Sequence, residues 1–139
     1  MQRRKFVWTS LTALPFATII PPPAWADRSP KGFKASAGEG RFHGHIELKG
    51  VNRNVLDVKV SGKDTNGDLA IFEQTSVSQG RGTPLHVHPG QDEVFTVLEG
   101  EYAFRVGDDR YRLKTGDSIF LPRQVPHAWT QVSARVRCW

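Results

Sequence analysis

Cysteine is almost absent from this chain of 139 residues, because Cys138 is the single one. One thiol cannot form an internal disulfide, so a small scaffold held together by disulfides is excluded. The domain must be stabilised by its apolar core or by a partner. About 38% of the residues are hydrophobic and 24% are charged, which is typical of one globular domain and argues against intrinsic disorder.

The chain also lacks a basic surface pattern, although its formal net charge is +5. Arg3, Arg4 and Lys5 supply three of these charges. From Asp27 onward, sixteen lysines and arginines are nearly balanced by fourteen acidic residues. A nucleic-acid-binding domain usually carries a basic stripe or a strongly positive charge. The sequence therefore predicts that nucleic acid is not a partner.

Long apolar runs are missing too. No run reaches the length of about 20 apolar residues that a membrane-spanning helix needs. The apolar stretch from Phe6 to Ile20 follows the basic group Arg3-Arg4-Lys5 and precedes Ala24-Trp25-Ala26, a pattern that signal peptidase cleaves. The basic start resembles a twin-arginine signal. Residues 1–26 are therefore predicted to be an export signal, and the mature protein to lie in the periplasm without stable membrane insertion. An uncleaved N-terminal anchor is the alternative.

Helical periodicity is absent, since no long window repeats its apolar positions every 3.6 residues. Residues 27–40 are rich in glycine, serine, lysine and proline and are predicted to form a flexible lead-in. Short segments with alternating apolar and polar residues follow, separated by turn residues. The predicted strands are Arg41–Leu48, Val55–Val60, Leu69–Val77, Glu93–Leu98, Tyr102–Val106, Arg110–Leu113, Ser118–Leu121 and Ala128–Val132. They predict one all-β domain over residues 41–139, a small antiparallel sandwich or barrel.

The most informative residues lie between positions 80 and 127. Alternate side chains of a strand point to one face, so His86 and His88 project together. Pro89-Gly90 predicts a turn, after which Glu93 can return beside them from the next strand. His127 must come from a distant strand, which a closed barrel would bring in. Three imidazoles and one carboxylate suit one divalent transition metal, either Fe, Mn, Ni, Cu or Zn.

These residues and their neighbours resemble the two motifs of the cupin superfamily. The first motif reads Gly, five residues, His-x-His, three or four residues, Glu, six residues, Gly, and every fixed position is matched by Gly80, His86, His88, Glu93 and Gly100. The second reads Gly, five residues, Pro-x-Gly, two residues, His, three residues, Asn. Here it is matched by Gly116, Pro122 and His127.

The second motif departs from the family at two positions, where Gln124 replaces glycine and Gln131 replaces asparagine. Glutamine tolerates positive φ poorly, so Gln124 is expected to disfavour the local turn that glycine forms in the family motif. The resemblance implies a small antiparallel β-barrel or jelly roll with a metal inside. It also implies that His86, His88, Glu93 and His127 are the ligands.

Other patterns are interpreted as structural. His43-Gly44-His45 has neither the glutamate nor the glycine at the family spacing and is predicted to be solvated. Asp64 to Asp68 begins like a calcium loop, but Leu69 and Thr75 occupy the positions where that loop requires Gly and Glu, so the segment predicts a turn. No serine or cysteine lies in a nucleophile pattern.

Phe95, Phe104 and Trp129 are predicted to form the wall of a pocket beside the metal. Phe95 shares the face of Glu93, and Trp129 shares that of His127, because each lies two residues further along its strand. An apolar pocket suits an aromatic or apolar ligand.

The resemblance implies a metal-dependent enzyme similar to the quercetinase-like dioxygenases, acting on a small aromatic or enolic compound with O₂. Glu93 would bind the metal and also act catalytically, by accepting a proton from a substrate hydroxyl. The alternative is a non-catalytic periplasmic module that binds a small ligand or a metal.

The C-terminal end gives a further expectation. Only 12 residues follow His127, and Ser133 to Trp139 reads as an interrupted strand. The sequence predicts a truncated C-terminal strand, which would leave an exposed sheet edge and favour a homodimer.

Overall fold

The computed structural model describes residues 31–49 and 53–139. The predicted export signal, residues 1–26, lies outside the described residues, so export stays a prediction. The described part contains one 3-10 turn, Gly62–Asp64, and ten strands. No helix in this part has the length and apolar character needed to cross a membrane.

The strands are β1 (Ile46–Glu47), β2 (Asn54–Val60), β3 (Ile71–Ser76), β4 (Gly82–His86), β5 (Glu93–Glu99), β6 (Glu101–Val106), β7 (Asp109–Lys114), β8 (Ser118–Leu121), β9 (His127–Gln131) and β10 (Val136–Cys138).

The strands form two antiparallel sheets. One has six strands in the order β1-β2-β3-β10-β5-β8, and the other has four in the order β4-β9-β6-β7. This two-sheet arrangement is a jelly roll, which confirms the predicted all-β fold class. The two sheets do not close into a barrel, because no ladder joins an edge strand of one sheet to an edge strand of the other among the described residues.

The predicted strand Arg41–Leu48 was wrong over most of its length, since β1 covers only Ile46–Glu47. His43 and Gly44 adopt φ angles of 61° and 63°, which belong to the left-handed region and cannot continue a strand. Further contacts hold the residues before β1. Lys59 of β2 donates from Nζ to the Ser36 carbonyl at 3.1 Å and to the Glu39 carbonyl at 2.8 Å.

The core lies between the inner faces of the two sheets. Alternation places Tyr102 and Phe104 of β6, and Trp129 of β9, on the buried side. The buried cluster consists of Val97, Tyr102, Phe104, Leu113, Leu121, Trp129, Val136 and Cys138. His127 shares the inner face with Trp129, so the imidazole of His127 lies at one end of this core, where β9 begins.

Strand β10 pairs with β3 on one side and with β5 on the other. It therefore lies inside the six-stranded sheet, and the predicted truncation of this end stays a prediction. Its last residue, Cys138, is 1% exposed and accepts a hydrogen bond at Sγ from the Tyr102 hydroxyl at 3.3 Å. Burial raises the pKa of the Cys138 thiol to about 11, although the Tyr102 hydrogen bond opposes the shift.

This burial predicts an inert thiol and an alkaline loss of stability. Below its ordinary pKa of 9.0 the thiol keeps its proton in both states, and as pH rises towards 11 the unfolded chain loses the proton first. Stability should therefore fall across this range. Urea unfolding at several pH values checks the slope, and Cys138→Ala should reduce it. Labelling of native Cys138 by a maleimide near neutral pH, as fast as in the unfolded chain, would contradict the account.

Candidate metal centre

The structure brings the four predicted ligand residues together at one end of the sandwich. His86 is the last residue of β4, and His127 is the first residue of β9, its partner in the four-stranded sheet. Glu93 is the first residue of β5 in the opposite sheet, and His88 lies in the connection between β4 and β5. The cluster therefore spans both sheets.

The distances within the cluster suit a shared ion. Each of the four residues offers one ligand atom, and these atoms lie within 4.8 Å of one another. Glu93 approaches His88 Nε2 with Oε1 at 3.3 Å and His127 Nε2 with Oε2 at 3.2 Å. Ligands bound to one transition metal at about 2.1 Å lie up to about 4.2 Å apart, so these two distances fit directly.

Backbone carbonyls orient two of the imidazole rings. His86 Nδ1 lies 2.8 Å from the Pro84 carbonyl oxygen, and His127 Nδ1 lies 3.0 Å from the Val125 carbonyl oxygen. A carbonyl can only accept, so Nδ1 carries a proton in both rings, and in the neutral tautomer Nε2 is the nitrogen with a lone pair for a metal. Metal-binding histidines are commonly oriented in this way. Both rings are therefore prepared to offer Nε2 as a ligand atom.

His127 offers the most deeply buried nitrogen of the cluster. Its side chain is 1% exposed, and its Nε2 atom has no hydrogen-bond partner. The nearby Glu93 Oε2 lies 3.2 Å from this atom but makes no hydrogen bond with it. A neutral imidazole nitrogen and a carboxylate oxygen are both acceptors, so a proton or a metal ion between them is what makes such a pair favourable. The donor set therefore fits a divalent transition metal.

The turn before His127 forms with a glutamine at its third position. Gln124 adopts a φ of 64°, and the Val125 N–H donates to the Pro122 carbonyl at 3.3 Å. Positive φ at the third position is characteristic of a type II turn, which favours glycine there. The substitution thus leaves the turn in place at the expense of a strained glutamine. The Gln124 N–H also donates to the His88 carbonyl at 2.8 Å, which joins the two motifs.

An ion pair beside the cluster was not found from the sequence. Asp92 precedes Glu93. The Asp92 carboxylate accepts a hydrogen bond at Oδ2 from Arg123 Nη2 at 2.6 Å. The Arg123 side chain, helped by its backbone N–H, lowers the pKa of Asp92 to about 2. No spacing rule connects these residues, which are 31 positions apart.

Two other predicted features lie apart from the cluster. The His45 ring contacts Asp57, with Nδ1 at 2.6 Å from Oδ1, and neither residue belongs to the ligand group. Gln131 is 1% exposed and donates from Nε2 to the Ser133 carbonyl at 2.7 Å and the Ala134 carbonyl at 3.0 Å. The Gln131 side chain therefore stabilises the connection between β9 and β10, and it is not one of the candidate metal ligands.

The three predicted pocket-wall aromatics lie in or against the buried core. Phe104 is 3% exposed and Trp129 is 5% exposed, while Phe95 is partly buried with its ring centroid 5.3 Å from that of Phe104. The ring of Tyr102 contacts both Phe104 and Trp129, with its centroid 6.0 Å from that of Phe104 and 5.5 Å from that of Trp129. Their role as a pocket wall stays a prediction. A shallow cavity of about 270 Å³ on the four-stranded sheet has none of the four cluster residues in its lining.

A jelly roll with four convergent nitrogen and oxygen donors at one end defines a candidate metal-binding β-sandwich. The cupin domain family matches residues 67–138, just over half of the chain, and the protein belongs to this family. The match confirms the resemblance predicted from the two motifs.

Individual relatives extend this comparison. The chain is 38% identical over 87 residues to quercetin 2,3-dioxygenase of Bacillus subtilis, covering 61% of this chain and 25% of that protein. It is 33% identical over 51 residues to an uncharacterised protein of Methanocaldococcus jannaschii, covering 37% of this chain and 41% of that one. The chain thus spans between a quarter and two fifths of these relatives. The structure of KdgF from Halomonas sp. matches with a TM-score of 0.60 and 15% identity, over 76% of this chain and 89% of that chain, and shows the fold alone.

Proposed function

We propose that this protein is a metal-dependent, dioxygenase-like enzyme that acts on a small aromatic or enolic compound. The observation that carries the proposal is the buried His127 Nε2 atom, which faces the Glu93 carboxylate at 3.2 Å without a hydrogen-bond partner. The likeness to quercetin 2,3-dioxygenase over 61% of the chain supports the reaction class.

His86, His88 and His127 would hold the metal through Nε2, and Glu93 would hold it through its carboxylate. One divalent ion of Fe, Mn, Ni, Cu or Zn would supply a Lewis acid and an open coordination position for O₂ or a substrate oxygen. The Pro84 and Val125 carbonyls keep the protons of His86 and His127 on Nδ1, so neither ring needs to change tautomer during the reaction.

Glu93 is the candidate proton acceptor. Its side chain is 25% exposed and that of His88 is 31% exposed, whereas His127 is buried. A substrate would therefore approach from the side of Glu93 and His88. Transfer of a substrate hydroxyl proton to a Glu93 oxygen would leave an electron-rich enolate or phenolate, which is the form that reacts with O₂.

A second candidate function is a non-catalytic module that binds a small ligand or a metal. It is favoured by the packing of Phe104 and Trp129, which are 3% and 5% exposed and so offer little surface to a substrate. A binding module needs the ligand cluster but no wide pocket.

Oxygen uptake with a panel of flavonols and catechols distinguishes the two functions. Elemental analysis of the purified protein first identifies the bound metal, and the protein is then loaded with each candidate metal. We expect uptake by the wild type and by His45→Ala, a matched histidine variant outside the cluster, and none by His88→Ala. Stabilisation by a compound without uptake under any metal would support the binding module and overturn the oxygenase.

A further inference from the structure

Two loops flank the candidate metal centre, and one ion pair joins them. The first loop, residues 87–92, lies between β4 and β5 and contains His88, and the second, residues 122–126, leads into β9 and His127. Asp92 in the first loop accepts three hydrogen bonds from the Arg123 side chain, from Nε at 3.1 and 3.2 Å and from Nη2 at 2.6 Å. Its Oδ1 atom also accepts the Arg123 backbone N–H at 2.8 Å.

We infer that Asp92 and Arg123 are positioning residues for the metal ligands, an inference that rests on the proposed metal centre. Asp92 is directly bonded to Glu93, and the residue after Arg123 donates its N–H to the His88 carbonyl at 2.8 Å. The pair therefore fixes the loop that contains His88 and leads into Glu93 against the loop that leads into His127.

The geometry of the pair explains why arginine occupies this position. A guanidinium is a rigid planar fork that holds both carboxylate oxygens at once, whereas a lysine ammonium is a point charge on a flexible stem. Coordination distances must hold within about 0.2 Å, so a small shift between the two loops would misplace a ligand. Exposed ion pairs usually contribute little to the free energy of unfolding. The Asp92–Arg123 pair is thus expected to affect metal affinity more than stability.

The chain contains a matched control. Arg112 of β7 binds Glu101 of β6 with the same chemistry, placing Nε at 2.9 Å and Nη2 at 2.7 Å from Oε2. Both side chains are exposed, at 69% and 41%, and they join neighbouring strands of the hairpin. Removing this pair tests what the loss of a surface ion pair does by itself.

The experiment compares Co²⁺ binding by the wild type, Arg123→Ala, Arg123→Lys and Arg112→Ala. Isothermal titration gives the affinity, and the visible absorption of bound Co²⁺ reports the ligand geometry. We expect Arg123→Ala to weaken binding by about 10- to 100-fold and to change the spectrum, as loss of a group supporting metal ligands does. Arg123→Lys should lie between, and Arg112→Ala should match the wild type. Without metal, the unfolding midpoints of Arg123→Ala and Arg112→Ala should be similar.

Hydrogen exchange of the Gln124 amide gives a second measurement that needs no metal. It should be faster in Arg123→Ala and unchanged in Arg112→Ala, because the pair holds the Gln124 N–H against the His88 carbonyl. Equal Co²⁺ affinity in Arg123→Ala and the wild type would overturn the inference and leave the metal centre standing. A wild type that binds no Co²⁺ or other candidate metal would overturn the proposed function. The amide exchange alone would then decide whether the pair holds the loops.

Discussion

The variant His88→Ala is expected to bind a divalent metal roughly a hundred-fold more weakly than the wild type. Protein sites with four ligands bind Zn²⁺ with about 10–16 kcal/mol, so the mean share of one ligand is about 3 kcal/mol, which corresponds to about two decades in affinity. His88 lies in a connection between strands with its side chain 31% exposed, so its truncation leaves the buried core intact.

The loss can be read as a smaller thermal stabilisation by metal. At a metal concentration of about 1,000 Kd, binding stabilises the folded state by about 4 kcal/mol, and after a hundred-fold loss it contributes about 1.4 kcal/mol. For a domain of this size the difference corresponds to roughly 10 °C in Tm. The measurement is the unfolding midpoint with Co²⁺ or Zn²⁺ and with a chelator.

His45→Ala is the matched control, because His45 also belongs to a His-x-His pair and its ring contacts Asp57 away from the cluster. Its stabilisation by metal should equal that of the wild type. An equal midpoint shift in His88→Ala and the wild type would show that the ion binds elsewhere, and the cluster would lose its assigned role.

The second large effect is expected from Gly100→Ala, at the turn between β5 and β6. Gly80, Gly100 and Gly116 have φ angles of 74°, 82° and 94°, which lie in the left-handed region that glycine adopts without strain. A Cβ at Gly100 would overlap the Arg135 carbonyl oxygen and Val136 Cγ1, at the entry to β10. The backbone strain and the overlap together should lower the free energy of unfolding by about 3 kcal/mol or more.

Gly116→Ala separates the two contributions. Its φ is also positive, but nothing lies within 4 Å of the added Cβ, so only strain applies, at about 1–2 kcal/mol. Urea unfolding of both variants gives the difference. Equal losses in the free energy of unfolding would contradict this account. They would show that the segment before β10 moves to make room for the new Cβ, so that the close approach at Gly100 costs no stability.

Sequence alternation predicted the fold where a strand has one buried and one exposed face. The strand Ser118–Leu121 was predicted with the observed bounds, and the prediction for β5 ended one residue early. β4 contains Gly82 and Pro84 and was not among the predicted strands, whereas β10, with three residues, was anticipated only as an interrupted strand within Ser133 to Trp139. Such strands exist because their neighbours supply ladder partners, which a local pattern cannot show.

The sequence by itself predicted the four candidate ligands, because strand periodicity and a turn group His86, His88 and Glu93 within a short span, and the resemblance to the cupin motifs adds His127. Only the tertiary structure decided how those side chains are held. The carbonyls at Pro84 and Val125, the positive φ of Gln124 and the Asp92–Arg123 pair each depend on the path of the backbone or on contacts across 31 positions. Local patterns record which face of a strand a residue occupies, whereas such contacts arise once the two sheets have packed and brought their loops to one end.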